Sequence, residues 1–223
     1  MQAESTTLNT SPGREGASAD TLLAEGCARL GVGLDTAQRE RLAQFAQLLL
    51  KWRRVYNLVG VKTLHEVISH HLLDSLSVAG AIVAGRLLDV GTGAGLPGLP
   101  LAIARPAIRA VLLEANAKRV RFLEHAVQTL QIENVEVVRE RAENYNPRQR
   151  FDYVISRALC GWPQFVALAE PLLNDTGQIL AMKGRFEGQS QALHSGVKIV
   201  EVRALNVPGI PGRRCLVRGV RAA

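Results

Sequence analysis

Apolar residues are spaced differently before and after residue 86, and this change predicts two kinds of structure. In the first part they recur every three or four positions, at Leu42, Phe45, Leu49 and Trp52. This spacing forms one apolar stripe on an amphipathic helix, and Asp35 with Gln38 has the spacing of a capping box at its start. A second helical run is predicted from Leu64 to Ala84.

From Arg86 onward, short apolar runs alternate with helical patterns. The strand-like runs are RLLDVG, RAVLLEA, NVEVVRER, RFDYVISR and GQILAMKG, and the helical runs between them include LPLAIARP, AKRVRFLEHAVQTLQ and PQFVALAEPLL. This alternation predicts an α/β fold with a doubly wound parallel sheet that binds ligands at the carboxyl ends of its strands. The last run, VKIVEVRALNVPGIPGRRCLVRGVR, has no room for a crossover helix between its β-rich halves, so it predicts an antiparallel hairpin.

These patterns divide the chain into three segments. Residues 1–20 are small and polar, rich in Gly, Pro and Ser, and are predicted to form a disordered tail. Residues 21–85 are predicted to form a helical N-terminal unit, and residues 86–223 an α/β domain that ends in the hairpin. The length of 223 residues fits one sizeable domain with a small appendage.

The formal net charge of +7 is unevenly distributed. Residues 1–85 hold 8 Lys/Arg and 8 Asp/Glu, whereas residues 86–223 hold 19 and 12. A polyanionic partner explains this excess, and a solvated arginine surface explains it equally well. Because aromatic residues make up only 4% of the chain, we do not expect nucleic acid to be bound mainly by stacking.

The three cysteines are too scattered for a disulfide scaffold or a zinc site. Cys27, Cys160 and Cys215 form no C-x-x-C pair, and reduced thiols are the simplest interpretation. The N-terminus has no basic and apolar regions typical of a secretory signal, and the longest apolar run, Leu76 to Gly85, is about half a membrane span. We therefore expect a cytoplasmic protein without a membrane partner.

A glycine-rich turn follows the first predicted strand directly. Gly91, Gly93 and Gly95 alternate with other residues, and Gly93-x-Gly95-x-x-Gly98 also matches the dinucleotide fingerprint. Glu114 stands 21 residues after Gly93, an offset that suits a ribose-binding acid in either a dinucleotide or an S-adenosylmethionine site. The turn alone leaves both ligands open.

Three further features favour S-adenosylmethionine. The glycines begin at the strand end itself, at Gly91, two residues earlier than a dinucleotide loop starting at Gly93. Pro97 lies where a dinucleotide loop presents N–H groups to a diphosphate, and proline has none. The terminal hairpin fits the Rossmann-like seven-stranded sheet of methyltransferases, whose last strand is antiparallel, rather than a second dinucleotide-binding half.

Other candidates stand at predicted strand ends. A carboxylate accepts both ribose hydroxyls, which makes Glu114 the predicted ribose ligand, unless it is merely an exposed strand-end acid. Ala142 and Glu143 end the third strand, where an adenine ring would lie, although a solvated turn explains them as well. Arg157 ends the fourth strand and is predicted nearest the transferred methyl, with a salt bridge at the sheet edge as its alternative.

The cluster of His70, His71 and Asp74 suggests a metal or acid–base site at first sight. On a helix, His71 and Asp74 share one face but have no third ligand, so we expect no metal. We favour a hydrogen-bonded role between domains or a position facing RNA.

Taken together, these motifs resemble the RsmG/GidB family of bacterial methyltransferases that modify N7 of one guanosine in 16S ribosomal RNA. The resemblance rests on DVGTGAGLPGLPLAI, KRVRFLE, FDYVISRA and AMKG, and upstream on KWRRVYNLVGV and HHLLDSLSV. It covers roughly residues 48–218. The chain departs from the family pattern at Ala94, Glu114, His70 and the pair Leu58-Val59, and His70 replaces a permanently charged arginine.

The resemblance implies a set of cofactor-binding positions around the turn and the strand ends. With Gly93 from the turn itself, the predicted cofactor residues are Gly91, Gly93, Leu96, Glu114, Ala115, Asn116, Ala142, Glu143 and Arg157. Contacts with RNA are predicted for Arg213, Arg214, Lys183 and His71.

The implied reaction is methylation of guanine N7 in 16S ribosomal RNA or the small subunit, by a protein expected to be a monomer. N7 carries a lone pair and no proton, so its methylation needs no general base, and we assign no catalytic residue with certainty. Three alternatives stay open: a methyltransferase for another substrate, a dinucleotide-dependent oxidoreductase, and a non-catalytic RNA-binding factor.

Overall fold

The computed structural model describes residues 18–56, 60–186, 193–194 and 196–222. Its centre is one mixed sheet in the order β3-β2-β1-β4-β5-β8-β7-β6. The strands are β1 (Gly85–Val90), β2 (Ile108–Leu113), β3 (Val135–Val138), β4 (Phe151–Arg157), β5 (Leu173–Lys183), β6 (Leu193–His194), β7 (Val197–Ala204) and β8 (Cys215–Arg221).

The sheet confirms the predicted architecture. Strands β1 to β5 are parallel neighbours, whereas β8 lies between β5 and β7 and is antiparallel to both. The predicted hairpin therefore consists of β7 and β8. If the short β6 is left out and the remaining seven strands are renumbered along the chain, their order in the sheet is 3-2-1-4-5-7-6. The two-residue β6 was not predicted, because two residues carry no readable periodicity.

Helices cover the sheet on both faces. They are α1 (Ala19–Leu30), α2 (Thr36–Tyr56), α3 (Leu64–Val67), α4 (Asp74–Leu76), α5 (Gly98–Ala104), α6 (Ala117–Thr129) and α7 (Trp162–Ala169). The predicted capping box at the start of α2 is confirmed by both of its hydrogen bonds. The Asp35 amide donates to Gln38 Oε1 at 2.9 Å, and the Gln38 amide donates to Asp35 Oδ1 at 2.7 Å.

The predicted disordered tail, residues 1–20, overlaps the start of the first helix. Helix α1 begins at Ala19, where the Ser18 hydroxyl caps it by accepting a hydrogen bond from the Thr21 amide at 3.1 Å. The boundary at residue 20 therefore falls inside a helix, and the prediction was wrong there because a single serine cap is hard to distinguish within a polar, Ser-rich segment. Residues 1–17 lie outside the described part of the chain.

The second predicted helical run is interrupted. Between α3 and α4 the backbone forms a π-helix over Ile68–Leu73, and the helical structure ends with a 3₁₀ turn at Ala79–Ala81. A π-helix carries an extra residue per turn and often occurs at functional positions. Here it contains His70 and His71, so the face they share with Asp74 could not be deduced from regular α-helical spacing.

The helical N-terminal unit is part of the same core as the sheet. Leu42 and Phe45 on α2 are fully buried in one cluster with Leu87 on β1 and Ile155 on β4. Phe45 stacks on Phe122 of α6, with ring centroids 6.3 Å apart. The opposite face of the sheet is covered by α7, and the described connection from β3 to β4, residues 139–150, contains no helix. The predicted boundary at residue 85 thus marks a change of local structure within one folded body.

Candidate active site at the carboxyl edge of the sheet

The side chain of Asp89 holds the glycine turn by hydrogen bonds. Its carboxylate has no exposed surface, and Oδ2 accepts hydrogen bonds from the Thr92 hydroxyl at 2.6 Å and the Gly98 amide at 2.7 Å. Burial raises the pKa of Asp89 to about 6, even though both hydrogen bonds act in the opposite direction. The turn between β1 and α5 is therefore fastened at its beginning and its end to one buried side chain.

The glycines of the turn are required by its backbone. Gly91, Gly93 and Gly95 have φ values of +64°, +62° and +86°, a region that other residues rarely adopt. A Cβ on Gly95 would lie 2.9 Å from a methyl of Leu123, whereas a Cβ on Gly93 would enter open space. Gly95 thus serves close packing, and Gly93 keeps a space clear in front of the turn.

Glu114, at the end of β2, holds the turn from the other side. Its Oε2 accepts the Gly93 amide at 3.0 Å, and its Oε1 accepts the Asn116 amide at 2.8 Å. Arg119 lies 3.5 Å from the same carboxylate, which is only 7% exposed. An ionised carboxylate has about four acceptor positions, so Glu114 retains capacity for two hydroxyl groups.

A cavity of about 210 Å³ lies beside this carboxylate. It gathers five of the predicted cofactor residues, Gly91, Glu114, Ala115, Ala142 and Glu143. The other four, Gly93, Leu96, Asn116 and Arg157, do not line it. Leu96 is buried, and the Asn116 side chain caps α6 by accepting the Lys118 and Arg119 amides. The segments that follow β1, β2 and β3 therefore meet around this cavity, and the assignment of these residues to the cofactor stays a prediction.

The amides at the start of α5 are already used within the protein. Gly98 donates to Asp89, and Leu99 donates to the Gly95 carbonyl at 2.9 Å. Pro97 and Pro100 have no N–H to offer. A diphosphate normally binds to free amides at a helix N-terminus, so this turn is poorly suited to a dinucleotide. S-adenosylmethionine carries no phosphate, and the open space at Gly93 with the Glu114 carboxylate suits its nucleoside.

Arg157 does not project freely from the end of β4. Its guanidinium lies 3.0 Å from Asp74 Oδ2 and 3.4 Å from His71 Nδ1. The other oxygen of Asp74 lies 3.4 Å from Arg214 Nε, and Asp74 is almost fully buried. The contacts of Arg157 are thus those of the salt-bridge alternative. One carboxylate at the start of α4 joins this helix to β4 and to the residue before β8.

His71 is half-buried beside this ionic cluster. Burial, and secondarily the nearby Arg157 charge, lowers the pKa of His71 to about 4, so the ring is neutral near pH 7. A neutral, half-buried imidazole makes no charged contact with phosphate, and the contact of His71 with RNA stays a prediction. The alternative role between the helical unit and the sheet agrees with its position.

The other predicted RNA contacts differ in exposure. Arg213 is exposed, whereas Arg214 is partly buried through its contact with Asp74. The Lys183 ammonium donates to the Cys160 carbonyl and so connects the segments that follow β5 and β4. Among the described residues no group of three His, Cys, Asp or Glu side chains could hold a metal ion, and no described helix is both long and apolar enough to span a bilayer.

Two residues of the site were not assigned from the sequence. Asp89 was noted only as part of its strand, although an acid at the end of an apolar strand, two residues before a glycine turn, is an available signal. Arg119 has no such signal, because its contact with Glu114 depends on how α6 packs after β2.

The sequence matches the model of one protein family over most of its length. Residues 38–216 match GidB, rRNA small subunit methyltransferase G. The chain belongs to this family. Family membership confirms the predicted enzyme class, a ribosomal RNA methyltransferase, and confirms S-adenosylmethionine as its cofactor at the level of the family.

Individual relatives agree with this family. The chain is 46% identical over 200 residues to Ribosomal RNA small subunit methyltransferase G of Nitrosococcus oceani, covering 89% of this chain and 94% of the relative. It is 43% identical over 200 residues to the protein of the same name from Chromobacterium violaceum, covering 89% and 96%.

Solved structures confirm the methyltransferase fold. TrmN from Thermus thermophilus has a TM-score of 0.57 at 16% identity, with 82% of this chain and 53% of TrmN covered. The glycopeptide N-methyltransferase MtfA, solved with S-adenosylmethionine, has a TM-score of 0.57 at 12% identity, with 68% and 94% covered.

We predict that Gly93→Val weakens S-adenosylmethionine binding at least about tenfold, because the side chain fills the space in front of the turn and forces a strained φ. Isothermal titration calorimetry measures the change. Gly31→Val is the matched control, because Gly31 also has a positive φ, +69°, and open space around its Cβ but lies at the end of α1. Equal affinity of the Gly93 variant and the wild-type protein would contradict this account of the turn.

We also predict that His71 makes the protein sensitive to acid. The unfolded chain protonates His71 near pH 6.5, whereas the folded protein keeps it neutral to about pH 4, so stability is lost as the pH falls through this window. The shift corresponds to at most about 3 kcal/mol. Asp89 contributes the opposite trend, because its raised pKa adds stability as the pH falls from about 6 toward 3.8.

His71→Asn keeps a hydrogen-bond acceptor near Arg157 but does not titrate. The free energy of unfolding of the variant minus that of the wild-type protein should therefore be larger near pH 4.5 than near pH 7.5. Urea unfolding of both proteins at both pH values measures this difference. The Asp89 contribution is common to both proteins and cancels in the difference. A difference in unfolding free energy that is the same at both pH values would show that His71 is not held neutral.

Proposed function

We propose that this chain transfers the methyl group of S-adenosylmethionine to N7 of a single guanosine in 16S ribosomal RNA. The observation that carries the proposal is the turn at Gly91–Gly95, whose neighbouring amides are satisfied internally while Glu114 keeps acceptor capacity beside it. The two relatives from Nitrosococcus oceani and Chromobacterium violaceum, both named ribosomal RNA small subunit methyltransferase G, support the choice of substrate.

The residues around the 210 Å³ cavity fit the proposed cofactor. Glu114 would accept the ribose hydroxyls, Gly93 would leave room for the nucleoside, and Ala142 with Glu143 would lie at the adenine. Asp89 Oδ1 is buried without a hydrogen-bond partner among the described residues, directly beneath the turn. Because this oxygen has no exposed surface, Asp89 serves to hold the turn, and the open space at Gly93 beside Glu114 is what fits the ligand.

The proposed reaction requires the protein mainly to align the methyl group with guanine N7. When bound, S-adenosylmethionine supplies an electrophilic methyl group on a sulfonium centre. Guanine N7 attacks with its lone pair, so no side chain has to remove a proton, and the described residues near the cavity include no nucleophile with a paired base. Fixed orientation of two reactants contributes up to about 7–11 kcal/mol to catalysis, and a rigid turn fastened at Asp89 and Glu114 provides a fixed platform.

The charge distribution supports an RNA partner. The excess of Lys and Arg lies in residues 86–223, and exposed Arg213 stands beside Arg214 at the carboxyl edge of the sheet. Phosphate contacts of this kind supply affinity that falls steeply with salt. Because one target must be chosen among many guanosines, the surrounding RNA or the small subunit has to position it.

The direct test uses purified protein, S-adenosylmethionine with a labelled methyl group, and small ribosomal subunits from cells that lack this gene. We expect one labelled 7-methylguanosine per 16S RNA, identified by nuclease mapping and mass spectrometry of nucleosides. Label in free metabolites or proteins but not in RNA would favour the first alternative, a methyltransferase for another substrate. Cofactor binding without any transfer would favour a non-catalytic RNA-binding factor.

A further inference from the structure

A second cavity, of about 660 Å³, opens at the same edge of the sheet beyond β5. Its lining comes from the segment after β5, the end of β7 and the segment entering β8, namely Gly184, Arg185, Phe186, Val202, Ala204, Leu205, Asn206, Arg213, Arg214 and Cys215. We call this cavity the hairpin cleft. Its volume falls within the range of about 300–1,000 Å³ that is usual for ligand sites.

The hairpin cleft is cationic. Arg185, Arg213 and Arg214 line it, and none of the described residues that line it is a carboxylate. A cavity of similar size at the amino ends of β1 to β3 is different, because Glu133 and Glu136 line it together with its arginines. The charge of the hairpin cleft therefore suits a polyanion and is not a general property of the surface of this basic chain.

Phe186 gives the cleft an aromatic surface. Its ring is only partly buried and meets the ring of Trp162 edge to face, with centroids 6.3 Å apart and an angle of 73°. Trp162 is 4% exposed, so a core side chain orients the exposed aromatic ring. Partly exposed aromatic rings next to arginines are the usual stacking surfaces for single bases in RNA-binding proteins.

The cleft is connected to the glycine turn by the sheet. Strand β5 is two positions from β1, which corresponds to about 10 Å at the usual strand spacing. Lys183 connects the end of β5 to the segment after β4 through its bond to the Cys160 carbonyl, and Asp74 forms ion pairs with both Arg214 of the cleft and Arg157 of β4. The wall of the cleft is thus rigidly related to the edge where the methyl group would be transferred.

We propose that the hairpin cleft receives the target guanine after it has left its stack, with Phe186 as the stacking surface. Asn206, which lines the cleft, offers one acceptor and two donors and so matches the Watson–Crick edge of guanine while N7 stays free for the methyl group. Arg213, which is exposed, contacts a flanking phosphate. This inference rests on the proposed function and adds the site that selects the base.

The test measures methyl transfer to small ribosomal subunits from cells lacking the gene. Phe186→Ala should lower kcat about 5- to 150-fold, the loss expected from removing one stacking contact, and Phe186→Tyr should restore it. Affinity for S-adenosylmethionine and the melting temperature should stay close to wild type. Val200→Ala, which truncates an exposed side chain of β7 outside the cleft, is the matched control and should have wild-type activity.

A second measurement does not depend on turnover. The protein with photoreactive p-benzoylphenylalanine at position 186 should crosslink to the small subunit at the nucleotide that the wild-type enzyme methylates, as mapped by primer extension. Crosslinks only at other nucleotides, or full activity of Phe186→Ala, would overturn the cleft assignment while leaving the proposed function intact. If the wild-type protein methylates no guanosine at all, the proposed function itself fails.

Discussion

Two carboxylates determine what this site accepts. Asp89 ties the end of β1 to the start of α5, and Glu114 ties the end of β2 to the middle of the glycine turn. Their bonds consume the amides that a diphosphate would need, while the bare Gly93 and the remaining lone pairs of Glu114 suit a nucleoside. The choice of cofactor thus follows from how the turn satisfies its own hydrogen bonds, and the position of the transferred methyl follows from the choice of cofactor.

A third carboxylate, Asp74, organises the substrate side. A buried acid is costly unless it is paired, and Asp74 is paired with two arginines from different parts of the chain. It thereby joins the start of α4 to the end of β4 and to the residue before β8. This explains why the helical N-terminal unit shares a core with the sheet instead of forming a separate domain. The cationic cleft at the hairpin depends on the same contact for the position of Arg214.

Periodicity and glycine spacing predicted what depends on local sequence. The strands, the capping box of α2, the terminal hairpin and the position of Glu114 follow from patterns a few residues long. Contacts made by tertiary packing were less accessible. The π-helix that contains His71, the half-buried state of its ring and the pairing of Arg157 with Asp74 depend on which elements meet in space. The start of α1 was missed because a single Ser18 hydroxyl defines it.

The most direct test of the central claim is calorimetric titration of the intact protein with S-adenosylmethionine and, separately, with nicotinamide dinucleotides. The amides of the turn are already bonded to Asp89, Glu114 and the backbone. The protein should therefore bind S-adenosylmethionine at one site and bind no nicotinamide dinucleotide. Binding of a dinucleotide as tight as that of S-adenosylmethionine, lost on introducing Gly93→Val, would contradict the account.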